Sequence, residues 1–357
     1  METKRIKITS TTGAFTPQEE EGLRRAGEIV RGGGLVAFPT ETVYGLGGDA
    51  LNPLSSRKIY AAKGRPSDNP LIVHISRFED IRRIVSRLPE AAVRIAEAFW
   101  PGPLTMILPK AESVPRETTG GLSTVAVRLP SHPAARKLIA YGGGYIAAPS
   151  ANLSGKPSPT SAKYVTEDMD GRIDMIIDGG EVGIGLESTI IDLTAEPPRI
   201  LRPGYVTQEM LDGVLGKVDI DVTIIDPDSN QAPKAPGMKY RHYAPRGSLV
   251  IVEGRREQVA AYINTETLAD REAGRKSGVI ATAEMLGQYH ADVVKCIGSR
   301  GAQEEIARNL FAVLRQMDDE GVERIYSESF SEKGLGQAIM NRLLKAAGHR
   351  VVHLSRQ

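Results

Sequence analysis

A single cysteine, Cys296, in a chain of 357 residues excludes an internal disulfide, a CxxC metal site and a cysteine-rich finger, and it suits a reducing compartment. Charge of one sign is also missing. With 45 Lys and Arg against 44 Asp and Glu, no broad basic surface is available to carry affinity for a polyanion, although local clusters remain open. No apolar run reaches membrane-spanning length, and the N-terminal METKRIKITSTTG lacks the apolar stretch of a signal peptide. That combination predicts a soluble, cytoplasmic protein without membrane contact. There is no GxxxxGK[ST], HExxH, GxSxG or kinase HRD and DFG set, so P-loop, zincin, serine hydrolase and kinase readings fail. No carboxylate cluster has metal-ligand spacing, and no protein-held metal is expected.

What is present is a long alternation of helical and strand patterns, enough chain for two domains. Thr16 and Pro17, with Glu19 and Glu20 behind them, open a helix with Leu23, Ala26, Ile29 and Val30 on its apolar face, and Gly32 to Gly34 stop it. Asn52 followed by Pro53 opens a second. LVAFP, PLIVHI, TMILP, STVAVRLP, YIAAPSA, DMIIDGG and ESTIIDLT read as strands, with PEAAVRIAEAFW and HPAARKLIAYGGG as helices. This first α/β domain is placed at residues 17–206. The stretch 207–247, which includes DPDSNQAPKAPGMKYRHYAPRG, is too rich in proline and too long for an ordinary connection, and is read as a linker with a possible lid function. Residues 248–357 carry SLVIVEG, SGVIATA, ADVVKCIG, GVERIYSE and HRVVHL, the pattern of a small Rossmann-like, doubly wound α/β domain. Its first turn, VEGRREQ, lacks GxGxxG, so nucleotide binding there is unsupported.

In α/β sheets, ligands gather outside the carboxyl ends of strands, where loops and helix N-termini present free N–H groups. Five segments of the first domain fit. PTETVYGLGGDA places Thr40, Glu41, Thr42 and Tyr44 in a loop relaxed by Gly45, Gly47 and Gly48, suited to a small polar ligand or simply to a hairpin. KGRPSDNPLIVH sets Lys63 and Arg65 at a helix end and sends Asn69 and His74 onward. The cations either answer the helix dipole or, with Asn69, hold phosphate and a nucleoside edge. In GGLSTVAVRLP, Thr124, Ala126 and Arg128 share one strand face. A strand arginine needs a partner, either a protein carboxylate or a ligand's. IAAPSANLSGKPSPT offers Ser150, Asn152, Ser154 and Ser158, and ESTIID with RILRPG adds Ser188 and Arg202. Such a set of donors and cations, with no evident nucleophile, suits a reaction driven by positioning and by neutralising phosphate charge, as adenylation is.

In this order, PTETVYGLG, KGRPSDNPL, STVAVR, APSANLSG, ESTIID and LRPG resemble the threonylcarbamoyl-adenylate synthases with a YrdC-like domain. APGMKYRHYAP resembles the linker of the family's longer, two-domain form, so the likeness covers nearly the whole chain. The resemblance implies a twisted YrdC-like α/β domain with a deep ligand cavity, followed by the smaller domain. It implies that L-threonine, bicarbonate and ATP, the last with Mg2+, form threonylcarbamoyl-adenylate and pyrophosphate. A partner transferase then delivers the threonylcarbamoyl group to tRNA adenosine beside the anticodon. Carried over residue by residue, Thr42, His74, Arg128, Ala148 and Ser188 would contact threonine, while Arg65, Asn69, Thr124, Ser150, Ser158 and Arg202 would hold ATP. Lys63, Arg65, Ser150 and Asn152 would form the catalytic set, and Tyr243 of the linker would close over the nucleotide.

Two other classes compete with this reading. An RNA-binding module without catalysis would normally show stacking aromatics or a basic excess, and aromatics are 5% here; at most a weak RNA contact is expected. The carbamoyl-transfer maturation factors embed a similar domain but add cysteine-rich zinc segments, which one cysteine cannot build.

Overall fold

The computed structural model describes residues 2–221 and 243–354. They form two compact units: 2–154 with 158–221, and 155–157 with 243–354.

The first unit runs β1 (Lys4–Lys7), α1 (Pro17–Arg31), β2 (Val36–Phe38), β3 (Gly45–Asp49), α2 (Pro53–Lys63), β4 (Ile72–Ile75), α3 (Glu90–Phe99), β5 (Leu104–Pro109) and β6 (Thr124–Arg128). It continues with α4 (Pro133–Tyr141), β7 (Tyr145–Ala148), α5 (Ala162–Met169), β8 (Met175–Asp178), β9 (Thr189–Asp192), β10 (Arg199–Arg202), α6 (Gln208–Leu215) and β11 (Asp219–Ile220). The strands make one mixed sheet in the order β1-β8-β2-β3-β7-β4-β6-β5-β9-β10-β11. On one side Leu23, Ala26 and Val30 of α1 pack with Ala134, Leu138 and Ile139 of α4 against Phe38 and Ile146. A larger cluster that includes Leu46, Ile59, Val73, Ile95, Val127 and Ile191 fills the other side. A third, small apolar group of Ile72, Ile107, Ala126, Ile190 and Leu201 lies beside the polar residues described below.

Local chemistry starts the helices as expected. Thr16 caps α1 through the Glu19 amide while the Glu19 carboxylate returns to the Thr16 amide, a reciprocal capping box. Asn52 caps α2 through Leu54, and Gly64 leaves that helix in the left-handed conformation at φ 62°.

Three parts of the first unit depart from the sequence reading. It begins before residue 17, because β1 pairs in parallel with β8; KRIK carries one apolar side chain and shows no periodicity to read. Residues 207–221 are not linker: Thr207 caps α6, which buries Leu211, and β11 pairs with β10. Residues 222–242, which hold most of the expected lid, lie outside the described residues. Third, Gly45, Gly47 and Gly48 are strand, not loop: β3 is antiparallel to both β2 and β7.

The glycines of β3 are there for close approach. A Cβ on Gly47 would stand 2.7 Å from Ile146 Cγ2 and 2.8 Å from Phe38 Cε1, and one on Gly45 would stand 3.0 Å from Phe38 Cζ.

The second unit is a five-stranded sheet, β14-β13-β15-β12-β16, made of β12 (Ser248–Glu253), β13 (Ser277–Thr282), β14 (Val293–Gly298), β15 (Arg324–Glu328) and β16 (Val351–His353). All pairs are parallel, and α7 (Arg256–Glu272), α8 (Gln303–Asp319) and α9 (Leu335–Ala347) make the long connections. This is the expected doubly wound domain. At the carboxyl end of its strands Glu328 is buried, accepting from the Thr282 amide at 2.9 Å and pairing with Arg300.

Gly47→Ala should lose about 1–3 kcal/mol of stability by overpacking the Phe38–Ile146 contact. Urea denaturation checks this, and a loss below a few tenths of a kcal/mol would show that the sheet gives way freely there.

Candidate functional site

One register row runs across the middle of the first sheet. Ile146 of β7 pairs with His74 of β4, His74 with Arg128 of β6, Arg128 with Thr105 of β5, and Thr105 with Ile190 of β9, and past a register shift in β10 Ile190 meets Arg202. Paired residues project on the same side of a sheet. The row one step along is apolar, with Ala148, Ile72, Ala126 and Ile107 in register. A band of buried polar groups therefore lies along an apolar floor.

Arg128 is the centre of the band, 4% exposed. Its Nη1 donates to Thr42 Oγ1 at 3.0 Å, its Nη2 to Glu41 Oε1 at 2.7 Å, and its Nε reaches the Gly102 carbonyl at 3.4 Å. Of the two partners raised by the sequence, the protein carboxylate is the one observed, and the hydroxyl of Thr42 shares the guanidinium with it. Thr42 is itself held by Thr40, whose hydroxyl lies 2.9 Å from its own. The backbone of this loop is pinned by the Ile184 and Gly185 amides, which donate to the Glu41 and Thr42 carbonyls. Tyr44 is no ligand hydroxyl: its ring is fully buried, and its phenol donates to the Gly180 carbonyl and accepts from the Gly179 amide.

His74 lies next to Arg128, edge-on to Phe38 with ring centroids 6.1 Å apart. Its Nδ1 bonds the Ile72 carbonyl at 3.1 Å, and a carbonyl can only accept, so that nitrogen carries the proton. Burial first, and then the charge of Arg128, push its pKa down to about 3. The imidazole is neutral at physiological pH and acts as a hydrogen-bonding group, not a cation.

Ser188 joins the same band. Its hydroxyl lies 2.7 Å from Thr105 Oγ1 and accepts from Arg202 Nη2 at 3.1 Å, while its carbonyl accepts from Arg202 Nε at 3.0 Å. Beside it, Ser158 donates to Glu187 at 2.6 Å.

Lys63 is not a surface answer to the α2 dipole. It is buried, and its ammonium bonds the carbonyls of Ser150, at 2.6 Å, and Asn152. Ser150 Oγ donates to Asn152 Oδ1 at 2.5 Å, and the Lys63 carbonyl takes the Ser154 amide. Lysine, serine and asparagine thus form one knot that shapes the loop after β7. Arg65, past the end of α2, donates to the carbonyls of Asn69 and Pro70. Asn69 is buried with its side-chain oxygen Oδ1 lacking a hydrogen-bond partner among the described residues.

The structure therefore brings Thr42, His74, Arg128, Ser188 and Arg202 into one band, with Ala148 on the adjoining apolar row and Ser158 alongside. Lys63, Ser150 and Asn152 form the knot, and Arg65 and Asn69 follow it in the chain. Thr124 shares the face of Arg128 but stands at the other end of β6, about 13 Å away at the rise of an extended strand. Tyr243 belongs to the second unit, where it is buried with φ 65° and its ring centroid lies 5.0 Å from that of Phe311. Three site groups were missed: Thr105, Glu187 and the contact role of Glu41. A threonine amid the apolar run of TMILP was the available signal for the first; nothing local distinguished the carboxylates.

Fold and site define a two-domain α/β protein whose first domain sets buried cations and hydroxyls beside an apolar floor, a polar small-molecule site. Residues 28–204 match the family model described as "Telomere recombination", and residues 206–348 match "Threonylcarbamoyl-AMP synthase, C-terminal domain". The threonylcarbamoyl-AMP synthase of Pyrococcus abyssi is 53% identical over 94% of this chain and 96% of its own. That of Bacillus subtilis is 47% identical over 99% of this chain and 100% of its own. The crystal structure of P. abyssi Sua5 complexed with L-threonine superposes with a TM-score of 0.93 at 50% identity, covering 99% of this chain and 100% of that one. The chain belongs to the threonylcarbamoyl-AMP synthase family, and it is an enzyme.

His74 should make the protein acid-labile. The unfolded imidazole takes a proton near its ordinary value of 6.5, the folded one only near 3, so between those limits the unfolded chain binds more protons and stability falls as pH drops. The loss is up to about 1.4 kcal/mol per pH unit. Urea midpoints at pH 7, 6 and 5 should fall less steeply in His74→Asn, with a residue of slope left by His132, whose pKa burial also lowers. Equal slopes in the two proteins would contradict this.

Proposed function

We propose that this enzyme condenses L-threonine, bicarbonate and ATP into L-threonylcarbamoyl-adenylate and pyrophosphate. The observation that carries the reading is the buried Arg128, flanked by Thr42 and neutral His74, in a chain half identical to a protein solved with L-threonine.

A carboxylate is the ligand group that a buried guanidinium binds best, by paired hydrogen bonds. Thr42, His74 and Ser188 add neutral hydrogen-bonding groups, and the apolar row with Ala148 leaves room for a short side chain. The amine of threonine and bicarbonate give a carbamate with loss of water; a carbamate oxygen then attacks the α-phosphorus of ATP and pyrophosphate leaves. No side chain need become a nucleophile. Arg65, Asn69, Thr124, Ser150, Ser158 and Arg202 supply donors and charge for the nucleotide, and Lys63 with Asn152 holds the Ser150 loop in the shape that aligns the two substrates.

Magnesium would enter as the MgATP complex, completed by phosphates and water. The product is a mixed anhydride and needs a second enzyme, a transferase, to pass the threonylcarbamoyl group to tRNA adenosine. A cytoplasmic location follows from that partnership. Among the described residues no helix is long and apolar enough to cross a membrane.

Pyrophosphate release from MgATP should require both L-threonine and bicarbonate, with the adenylate detected by mass. ATP untouched in every combination would sink the reading and favour RNA binding. Within the assay, Arg65→Ala should abolish product, whereas Arg128→Ala should chiefly raise the threonine requirement, by roughly ten- to a hundredfold for one charged contact. Unchanged threonine dependence in Arg128→Ala would remove that residue from the amino-acid subsite.

A further inference from the structure

Glu41 sits where an amino-acid carboxylate would have to go. Its Oε1 takes Arg128 Nη2 at 2.7 Å, both side chains being largely buried at 13% and 5% exposed. Thr42 takes Nη1, so each terminal nitrogen of the guanidinium already bonds the loop after β2. The grip of Glu41 is single: its other oxygen, Oε2, is buried with no hydrogen-bond partner among the described residues. A fork-to-fork pair would have used both oxygens.

Both backbones at this contact are fixed. The Glu41 and Thr42 carbonyls are bonded by Ile184 and Gly185, and Arg128 lies within the β4-β6-β5 pairing. The Arg128 side chain is held further by Thr42 and the Gly102 carbonyl, whereas the Glu41 side chain has no hydrogen bond among the described residues besides the one to Arg128. Removing one partner of a buried ion pair and leaving the other charge bare is strongly unfavourable, but exchanging one carboxylate for another keeps the guanidinium neutralised throughout.

We propose that Glu41 is a resident counterion of the amino-acid subsite, held on Arg128 by one oxygen and displaced when the carboxylate of the amino acid docks on that guanidinium. The inference rests on the reading of Arg128 as the carboxylate-binding group. Glu41 neutralises Arg128 until the substrate arrives, and threonine affinity is set below what the bare arginine would give. A ligand without a carboxylate takes no part in the exchange, so Glu41 lowers the affinity for amino acids and leaves that for their amino-alcohol analogues unchanged.

The test is calorimetric titration of L-threonine and of L-threoninol, which lacks the carboxylate, into full-length wild type and Glu41→Gln, with melting temperatures alongside. Glu41→Gln should bind L-threonine about five- to twentyfold more tightly, should leave L-threoninol affinity unaltered, and should melt lower without ligand, since the variant's empty form bears the uncompensated charge. Glu41→Asp, which keeps the charge but shortens its reach, should shift threonine affinity in the same direction by less, and serves if the glutamine variant does not fold. Equal or weaker threonine binding in these variants overturns the displacement and makes Glu41 a group that orients Arg128. If wild type takes up no L-threonine at all, the amino-acid reading falls, and the displacement with it.

Discussion

A guanidinium buried inside a β-sheet is the constraint from which the first unit follows. A guanidinium offers only donors, so folding must bring hydrogen-bond acceptors to Arg128 or pay several kcal/mol for a bare charge. They come from the loop after β2, as Glu41 and Thr42, and from the Gly102 carbonyl before β5. That loop can fold back over β6 only because β3 continues it as a strand of near-naked backbone, slipped between Phe38 and Ile146, and because the buried phenol of Tyr44 ties it to residues 179 and 180. The glycines and the tyrosine serve the arginine.

A second cation is handled in the opposite way. Lys63 is surrounded by carbonyls, at Ser150 and Asn152, and is spent on shaping a loop. Its charge still acts at short range, while Ser150 and Asn152 are held by each other. Arg202 follows the same logic around Ser188. Lys63 and Arg202 are thus cations whose positions are fixed by neutral oxygens, whereas Arg128 is held by a carboxylate as well.

Much of the fold was legible because it depends on local signals. The Thr16 to Glu19 capping box, the Asn52 and Pro53 start, and the glycine stops mark α1 and α2 within a residue or two, and runs of β-branched residues mark most strands. The rest was hidden for identifiable reasons. β1 is KRIK, whose place is decided by the distant edge of β8; α6 hides behind Gly213 and a short apolar face; and β3 looks like a loop because glycine signals a turn when read alone but a close approach when its neighbours are known.

By itself the sequence determined the chemical inventory: which residues are cationic or hydroxylic, the alternation that makes two α/β domains, and the face of β6 from which Arg128 projects. Those properties depend on residues a few positions apart, where strand and helix periods hold. Only the tertiary structure decided who meets whom. His74, Arg128, Thr105 and Arg202 become one row through strand register, Lys63 turns inward to Ser150 and Asn152, and Glu41 reaches Arg128 across 87 positions of chain. Register and loop closure are set by the packing of whole faces, and no local pattern encodes them.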